Sequence, residues 1–470
     1  MVGQSDLGAP HVIRKTVRYV DQRTGTAPLL RKALRYVFPD HWSFLLGEVA
    51  LYSFVVLVLT GIYLTFFFVD STHEVVYHGP YAPLRGQQVS EAYRSVLDIS
   101  TQVKAGLLIR QTHHWAANVF IAAIVLHLFR IFFTGAYRKP REVTYVIGVT
   151  MLALALFEAY LGYSLVDDLL SGMGLAIGYA VGLSIPIVGG NLMSLLFDGP
   201  FPGGHALWPR MYITHVLLLP LLIGGLLTLH LALVAFRHHT QFRRSERETE
   251  RRVVGLPAWP AYAPRTLGLA FATAGILVLL GGLVQINPIW LWGPYHVYTG
   301  TNGAQPDWYL GWLIGGLRLM PGFDVVIGKY TVVPNPFWGG ALFPLLVFGF
   351  LYSWPWLERR LTGDQAFHNL LERPRDSPLR TAIGAGVVTL VFLVFVAGSA
   401  DRVSTLLWIS YPAQIWFYRG LVLVVPPLVV LLTYRICREL QAGEIVEAQR
   451  RQAEAEAEAA ASSVRVESGG

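Results

Sequence analysis

The fold is decided by two apolar stretches that each carry a pair of histidines: RQTHHWAANVFIAAIVLHLFR at residues 110–130 and RMYITHVLLLPLLIGGLLTLH at residues 210–230. The first contains His113 and His127, 14 residues apart, and the second contains His215 and His230, 15 residues apart. Each stretch is long enough to cross a bilayer as a helix. An ionisable side chain inside such a helix is costly without a partner, so these four histidines indicate a functional site.

The two spacings place the histidines of each helix on one broad face. At about 100° per residue, 14 steps end roughly 40° short of whole turns and 15 steps roughly 60° past them. The rise along the helix separates the two histidines of a stretch by roughly 21 to 22 Å. Two such helices side by side present facing histidine pairs at two depths. Because haem iron needs an axial ligand from each side, the pattern predicts two stacked bis-histidine haems. The alternative is four buried histidines held in ordinary hydrogen bonds.

The composition indicates an all-α, polytopic membrane protein. Of the 470 residues, 53% are hydrophobic and only 14% are charged, and the apolar residues come in blocks of twenty or more. Eight spans are expected, near residues 43–68, 108–133, 143–165, 211–236, 266–286, 337–357, 381–400 and 415–435. The apolar stretch 172–197 is long enough to be a ninth span. Its six glycines and Pro186 instead favour a broken helical hairpin at the outer surface.

The charge distribution sets the expected orientation. Arginine and lysine are concentrated before the first span and in alternate loops, and the intervening loops contain few basic residues. The positive-inside rule therefore places both termini in the cytoplasm. The net charge of +7 could suggest a nucleic-acid surface, but the Arg-rich run at 237–252 lies between two spans, so no nucleic-acid partner is expected. The partner surface of the spans is the lipid bilayer.

The single cysteine, Cys437, restricts the cofactors. An iron–sulfur cluster needs several cysteines, and a covalent c-type haem needs a Cys-x-x-Cys-His motif. Any haem held by this chain is therefore non-covalent and bound through histidine. Any iron–sulfur or haem c group belongs to a separate chain.

Glycines and arginines accompany the histidines at matching positions. Two glycine pairs repeat the 14-residue spacing, in the first and third spans, and are interpreted as clearance for two flat macrocycles: Gly47 and Gly61, Gly148 and Gly162. Small residues that only pack helices are the alternative. Arg110 and Arg130 each lie three residues from a histidine, where they could pair with haem propionates. Arginines that extend to lipid phosphate are the alternative.

Together these motifs resemble a known family. The R-x-x-H…H-x-x-R pattern of the second span, the glycine pairs, Arg210 five residues before His215, and the tetrad PDWY at 306–309 look like the cytochrome b subunit of quinol:cytochrome c oxidoreductases, the cytochrome bc complexes. The resemblance covers about residues 38–435. The 15-residue spacing of the second histidine pair, with Pro220 five residues after His215, is similar to the chloroplast-type and Gram-positive branch of the family. The whole chain resembles actinobacterial forms, in which the b subunit is one continuous chain.

The resemblance implies a ligand set and two quinone sites. The outer haem b would bind His113 and His215, and the inner haem b would bind His127 and His230. Arg210 joins the expected cofactor-binding residues. Asp307 and Tyr309 match the Pro-Glu-Trp-Tyr motif that oxidises quinol at the outer face, and Gly174 matches a glycine in the wall of that pocket. The aspartate variant of the motif favours menaquinol as the substrate.

The pattern of spans and polar segments predicts a domain layout. It consists of a cytoplasmic amphipathic segment at 1–42, a di-haem four-helix bundle at 43–236, a basic connection at 237–265, a C-terminal four-helix part at 266–435 and a disordered cytoplasmic tail at 436–470. The expected partners are a Rieske iron–sulfur subunit, a cytochrome c subunit and a terminal oxidase, in a homodimeric complex. The expected location is the cell membrane of a bacterium.

Other assignments are weaker. At the inner face, Arg237, His238 and Arg265 are candidates for the quinone-reducing site, although the acid that the family usually carries there has no evident match. His114 is interpreted as a packed neighbour of His113 and not as a ligand. Asp167 and Asp168 could relay protons or cap a helix, and Glu158, inside the third span, has no partner that the sequence names.

Two other classes of protein remain open at this stage. A di-haem membrane anchor of a quinone-linked dehydrogenase would also carry transmembrane histidines, but it usually has about five or fewer spans and lacks the PDWY loop. A transporter would show internal repeats and broken helices around a central site, and the sequence contains neither. A haem absorption spectrum separates these classes.

Overall fold

Eight helices long and apolar enough to cross a membrane dominate the computed structural model, which describes residues 11–300 and 305–467. In that part of the chain they run Trp42–Thr65, Gly106–Phe133, Glu142–Ser164, Leu207–Arg237, Ala258–Leu283, Phe337–Thr362, Pro378–Ala397 and Tyr411–Ala457. The eight spans expected from the hydropathy pattern are therefore confirmed, and most of their ends differ by a few residues. The eighth helix is the exception, because it continues to Ala457, well beyond the expected end at 435.

The spans pack into a helical bundle that brings the four histidines together. The first and third spans flank the histidine-bearing second and fourth spans, and the first span packs along the second. The fifth span packs against the first two, and the seventh packs against the eighth. The histidine-bearing half of the molecule and the C-terminal half therefore both contact the second span.

The fourth span contains a π-helical turn at Thr214–Leu218, which includes His215. A π turn adds one residue to the local helical repeat, and such turns are frequent at functional sites. Pro220 follows within one turn, and its missing N–H favours a local departure from regular hydrogen bonding. The extra residue accounts for the spacing of 15 in this span against 14 in the second span.

The apolar stretch after the third span is a broken hairpin. Two helices, Leu169–Leu183 and Gly189–Phe197, are separated by a turn around Pro186 and pack against each other. A Cβ at Gly182 would lie 2.3 Å from the Met193 sulfur, so glycine is needed for this close packing. The first helix is shorter than a membrane span. The interpretation of 172–197 as a hairpin instead of a ninth span is confirmed.

Short elements connect the spans. Further helices run His11–Thr24, Ala27–Leu34, Glu91–Thr101, Ile289–Trp292, Gly311–Leu319 and Ala400–Leu407. Short 3-10 turns occupy Ala82–Leu84, Trp308–Leu310 and Pro374–Asp376, and further π turns open the fifth and sixth spans at Ala258–Tyr262 and Phe337–Leu342. Four two-stranded ladders pair Val37–Phe38 with Leu256–Pro257, Glu74–Val76 with Gln88–Ser90, Gln241–Phe242 with Leu370–Leu371, and Val325–Ile327 with Tyr330–Val333.

The two ends of the chain depart from the sequence expectation in detail. The predicted amphipathic segment is two helices followed by a strand, and residues 1–10 lie outside the described part. In place of the expected disordered tail at 436–470, the last helix continues from Tyr411 to Glu467. Alanine, glutamate and arginine are strong helix formers, and ion pairs of Arg450 with Glu454 and of Arg451 with Glu447 stabilise the exposed turns.

Candidate functional site

The outer histidine pair has the separation that one iron atom between two imidazoles requires. The ring centroids of His113 and His215 lie 6.3 Å apart, and the two ring planes cross at 82°. Two imidazoles that each bind a metal at roughly 2 Å place their centroids about 6 Å apart. The residues present therefore fit a bis-histidine haem at this level.

Hydrogen bonds to Nδ1 orient both outer rings. The Nδ1 of His113 lies 2.8 Å from the Thr60 hydroxyl oxygen, and that hydroxyl itself donates to the Val56 carbonyl. The Nδ1 of His215 lies 2.9 Å from a Glu158 carboxylate oxygen and 3.2 Å from the Glu158 carbonyl. Such contacts fix the tautomer and leave Nε2 free to bind a metal. Glu158, for which the sequence named no partner, thus holds a histidine of the outer pair.

The inner histidine pair lines a large cavity. His230 donates from Nδ1 to the Thr144 carbonyl at 3.0 Å, whereas the buried Nδ1 of His127 has no partner among the described residues. Both histidines line a cavity of about 820 Å³, together with Gly47 and Gly148. A cavity of this size with mostly apolar walls fits a large planar cofactor.

Each glycine of the two 14-residue pairs faces one of the four histidines. A Cβ at Gly47 would lie 3.2 Å from the His127 ring, and one at Gly61 would lie 3.3 Å from His113. In the third span the corresponding distances are 3.7 Å from Gly148 to His230 and 2.4 Å from Gly162 to His215. The glycines therefore form two levels that coincide with the two histidine pairs.

The three candidate arginines differ in their surroundings. Arg110 is buried, with long contacts of 3.4 and 3.5 Å to the Asn287 carbonyl, and its Nε has no partner in the described part of the chain. Arg130 lies over the Phe44 ring and has buried Nε and Nη2 atoms that no described residue satisfies. Buried donors without partners fit an anionic ligand group. Arg210 instead donates to the Leu195 carbonyl at 2.5 Å and faces Asp198.

The PDWY loop forms a carboxylate–imidazole pair. Asp307 Oδ2 lies 2.7 Å from His114 Nε2 and accepts a hydrogen bond of 2.7 Å from the Tyr309 hydroxyl. Burial alone would raise the pKa of Asp307, but His114 and the two hydrogen bonds hold it below its usual value. Burial and the adjacent carboxylate raise the pKa of Tyr309. Asp307 is therefore an ionised acceptor, and His114, expected to be a simple packed neighbour, is its direct partner.

Gly174 lies in the first helix of the hairpin, Leu169–Leu183, and packs against the third span. Its carbonyl accepts a 3.4 Å hydrogen bond from Tyr160, and a Cβ there would lie 3.5 Å from the Tyr163 ring. The adjacent acids have distinct roles. Asp168 is fully buried and caps the helix that begins at Leu169, in a reciprocal pair with Ser171. Desolvation raises the pKa of the neighbouring Asp167 to about 7.

A second cavity lies on the other side of the PDWY loop. It encloses about 370 Å³ between the second, sixth and seventh spans, and Trp308 and Tyr309 form part of its wall. The rest of the wall is almost entirely aliphatic and aromatic, including Phe348 and Phe395. Tyr309 therefore has its hydroxyl on Asp307 and its ring beside an apolar space.

Two of the three inner-face candidates line the large cavity, and the third does not. Arg237 and His238 line the 820 Å³ cavity, and the His238 ring stacks on Tyr36 at 5.5 Å. Arg265 lies outside the cavity wall, in an exposed ion pair of 3.6 Å with Asp40. The sequence missed a second group at this face. Glu48 of the first span accepts hydrogen bonds from the hydroxyl groups of Tyr262 and Thr266 in the fifth span.

Fold and geometry define a class: a multi-pass helical membrane protein with one facing histidine pair and a second pair that lines a shared cavity. Residues 118–294 match the family described as Cytochrome b(N-terminal)/b6/petB. The chain is 48% identical over 434 residues to the cytochrome bc1 complex cytochrome b subunit of Mycobacterium tuberculosis. The matched residues cover 92% of this chain and 78% of that protein. It is also 46% identical to the subunit of Corynebacterium diphtheriae, over 90% of this chain and 78% of the relative, and 45% identical to that of Streptomyces coelicolor, over 90% and 77%.

The chain therefore belongs to the family of cytochrome b subunits of cytochrome bc1 complexes, as its motifs predicted. A solved structure, "Hyperthermophilic respiratory Complex III", has the same fold with a TM-score of 0.65, over 89% of this chain and 99% of that one. At 18% identity this likeness concerns the fold alone.

Proposed function

We propose that His113 and His215 bind one haem b and that His127 and His230 bind a second. The observation that carries this proposal is the facing arrangement of the outer pair, with ring centroids 6.3 Å apart and Nδ1 atoms turned to oxygen atoms. Bound there, the two groups would carry electrons singly across the apolar interior. Gly47, Gly61, Gly148 and Gly162 leave room for their flat faces.

The chain is the membrane subunit of a quinol:cytochrome c oxidoreductase of the respiratory chain. Quinol is oxidised at one face, and one of its two electrons crosses to a quinone site at the other face. This charge transfer contributes to the proton motive force. Family membership and the eight spans favour this function over a dehydrogenase anchor or a transporter. The activity belongs to a complex of several subunits.

At the outer face, Asp307 receives a proton from quinol. Its carboxylate is ionised, is held by His114 and Tyr309, and lies at the edge of the apolar core. An ionised carboxylate within reach of a bound quinol has a free acceptor oxygen for its proton. Tyr309 positions the carboxylate, and Gly174 lies against Tyr163 in the helix that follows the third span. Menaquinol is the proposed substrate, because the motif carries aspartate in place of glutamate.

The arginines hold the charged edges of the cofactors. Arg110 and Arg130 have buried donor atoms that no described residue satisfies, each one turn from a ligand histidine, and a propionate would satisfy them. Arg210 is retained as an outer-edge candidate, although its present contacts are with Leu195 and Asp198. At the inner face, Arg237, His238 and Arg265 remain the candidates taken from the sequence.

The partners follow from the single cysteine and from the family. A Rieske iron–sulfur subunit would take one electron from quinol, and a cytochrome c subunit would pass it onward. A homodimeric complex, association with a terminal oxidase, location in a bacterial cell membrane and cytoplasmic termini are part of the same proposal. The basic loops on one side of the spans support that orientation.

The test is quinol:cytochrome c reductase activity of the purified complex, with variants of the ligand histidines. His127→Leu and His215→Leu should each remove one b haem and abolish electron transfer between the faces. His73→Leu, which changes an exposed histidine of an outer loop, is the matched control and should retain both. Ligand variants that keep two haems would contradict the assignment.

A further inference from the structure

The inner cavity contains one acid from an unexpected element. Among the described residues that line the 820 Å³ cavity, Glu48 of the first span carries the one carboxyl group. It is half-buried and follows Gly47, which faces His127. A carboxyl group beside an apolar cavity at the depth of a histidine pair is costly unless it has partners.

Hydroxyl groups satisfy both oxygens of Glu48. The Tyr262 hydroxyl donates to Oε1 and the Thr266 hydroxyl donates to Oε2, both from the fifth span. Because the Thr266 proton is used in that bond, the Tyr52 hydroxyl donates to Thr266 in turn. The result is a continuous chain of exchangeable protons from Tyr52 through Thr266 to Glu48.

A second polar group lines the same cavity. The Tyr36 hydroxyl lies 3.2 Å from His239 Nδ1, and the Phe38 ring lies between this pair and the first group. Phe38 stacks on Tyr262 with centroids 3.8 Å apart and lies 5.1 Å from the His239 ring. A ladder between Val37–Phe38 and Leu256–Pro257 holds this segment against the start of the fifth span. The Phe38 ring thus lies between two polar groups, the Glu48 group on one side and the Tyr36–His239 pair on the other.

We propose that Glu48 is the proton donor to quinone at the inner site and that Tyr262 and Thr266 hold it in place. This inference rests on the proposed function, which supplies the electrons. Reduction adds two electrons and two protons to one quinone and yields one quinol. One oxygen takes its proton from Glu48 in its protonated form, and the resulting carboxylate, which accepts hydrogen bonds from Tyr262 and Thr266, is reprotonated from water that enters at the mouth of the cavity. The other oxygen takes its proton at the water-exposed mouth, where Lys32 lies.

The acid of the proposed inner site comes from the first span and not from the segment around the start of the fifth span. Glu48 is supplied by the first span, more than two hundred residues earlier in the chain, and its partners Tyr262 and Thr266 occupy that later segment. Arg265, between them in sequence, points away to Asp40. The fifth span therefore contributes hydroxyl groups in place of a carboxylate.

The test uses the purified complex in an Asp307→Asn background, so that added quinol reduces the b haems mainly through the inner face. Glu48→Gln keeps the size of the side chain but not its exchangeable proton, and should slow this reduction roughly 10²-fold. Glu142→Gln is the matched control. Glu142 lies at the expected cytoplasmic end of the third span, outside the cavity, and its change to glutamine should leave the rate unchanged.

A second readout does not depend on turnover. Infrared difference spectra between oxidised and reduced complex should contain a carboxyl band that Glu48→Gln removes and Glu142→Gln retains. If Glu48→Gln does not assemble, Tyr262→Phe should slow inner-site reduction while the carboxyl band shifts. A normal rate and an unshifted band in these variants, with both haems present, would overturn the role of Glu48. Absence of b haem from the unaltered complex would instead contradict the proposed function.

Discussion

Gly162 and Gly148 face equivalent histidines at different distances, and this difference predicts different tolerance to a methyl group. A Cβ at Gly162 would lie 2.4 Å from the His215 ring, so alanine must displace the ring and its contact with Glu158. We expect Gly162→Ala to lower outer haem content. Gly148→Ala, with 3.7 Å to His230, should retain the inner haem. Equal haem contents by pyridine haemochrome assay would contradict this prediction.

Asp307 is predicted to act through its ionised form. The His114 and Tyr309 contacts keep its pKa below the usual value, so it remains a carboxylate throughout the neutral range and can accept a proton. Asp307→Asn should lower quinol oxidation about 10²-fold, whereas Asp307→Glu should retain most of the activity. The rate of b-haem reduction through the outer face measures this. A fully active asparagine variant would exclude the role.

Residue-scale patterns were predictive where periodicity and chemistry pointed the same way. The histidines and glycines share a spacing, so the sequence placed them on common faces at common depths, as the structure does. His114 and Glu158 were missed because their partners, Asp307 and His215, are distant in sequence or on another helix. No pattern within one helix reports a contact of that kind.

At the level of elements, the connection from the third span to the outer hairpin should depend on pH through Asp167. Desolvation raises its pKa to about 7, so the folded state holds a proton that the unfolded chain releases near pH 4. Stability from this group is full below about pH 4 and is lost as pH rises toward 7.

Asp167→Asn removes this dependence. Asparagine also tolerates the left-handed backbone found there, with φ of 56°. We expect the variant to have a higher melting temperature than the unaltered complex at about pH 8 and a similar one at about pH 4.5. Parallel melting curves at both pH values would contradict the role assigned to Asp167.

A buried ion network holds the sixth and seventh spans together. Arg380 donates to Glu358 at 2.7 Å and to Glu372 at 2.8 Å, and the Tyr137 hydroxyl also donates to Glu358. Arg380→Met would leave the buried Glu358 without its cation and should cost about 3–5 kcal/mol. Arg373→Met, in an exposed pair, should cost less than about 1 kcal/mol. Similar melting temperatures for the two variants would contradict this ranking.

Element boundaries were predicted less well than element existence. Hydropathy located all eight spans, but it gave no sign of the π turn at Thr214–Leu218, which depends on hydrogen bonding around Pro220. The 15-residue spacing of His215 and His230 is the one feature of these two histidine pairs that indicates the extra residue of that turn. The tail was described from its sequence as helix-prone and then small and polar, and was expected to be disordered, whereas the last helix continues to Glu467.

For the whole molecule, the basic loops predict that both ends of the chain face the cytoplasm. An even number of spans places them on one side, and the positive-inside rule selects that side. A fluorescent protein fused to the C-terminus should therefore fluoresce, and alkaline phosphatase fused there should be inactive. An insertion of the same reporters in the loop between the first two spans should give the reverse. Matching signals at both positions would contradict this topology.

The arrangement of the whole bundle depends on pairings that the sequence only implied through its family. The haem half follows from four histidines, whereas the inner polar group joins the first span, the fifth span and the strand before the first span. The inner site could not be predicted, because its residues are separated by about two hundred positions and lack a local motif.

The central claim is that four histidines bind two haems at two depths. The most direct measurement is the haem-to-protein ratio of the purified chain, together with a redox titration followed at the b-haem absorption band. The account predicts two b haems per chain that titrate as two separate components. A chain with one haem or none would contradict it.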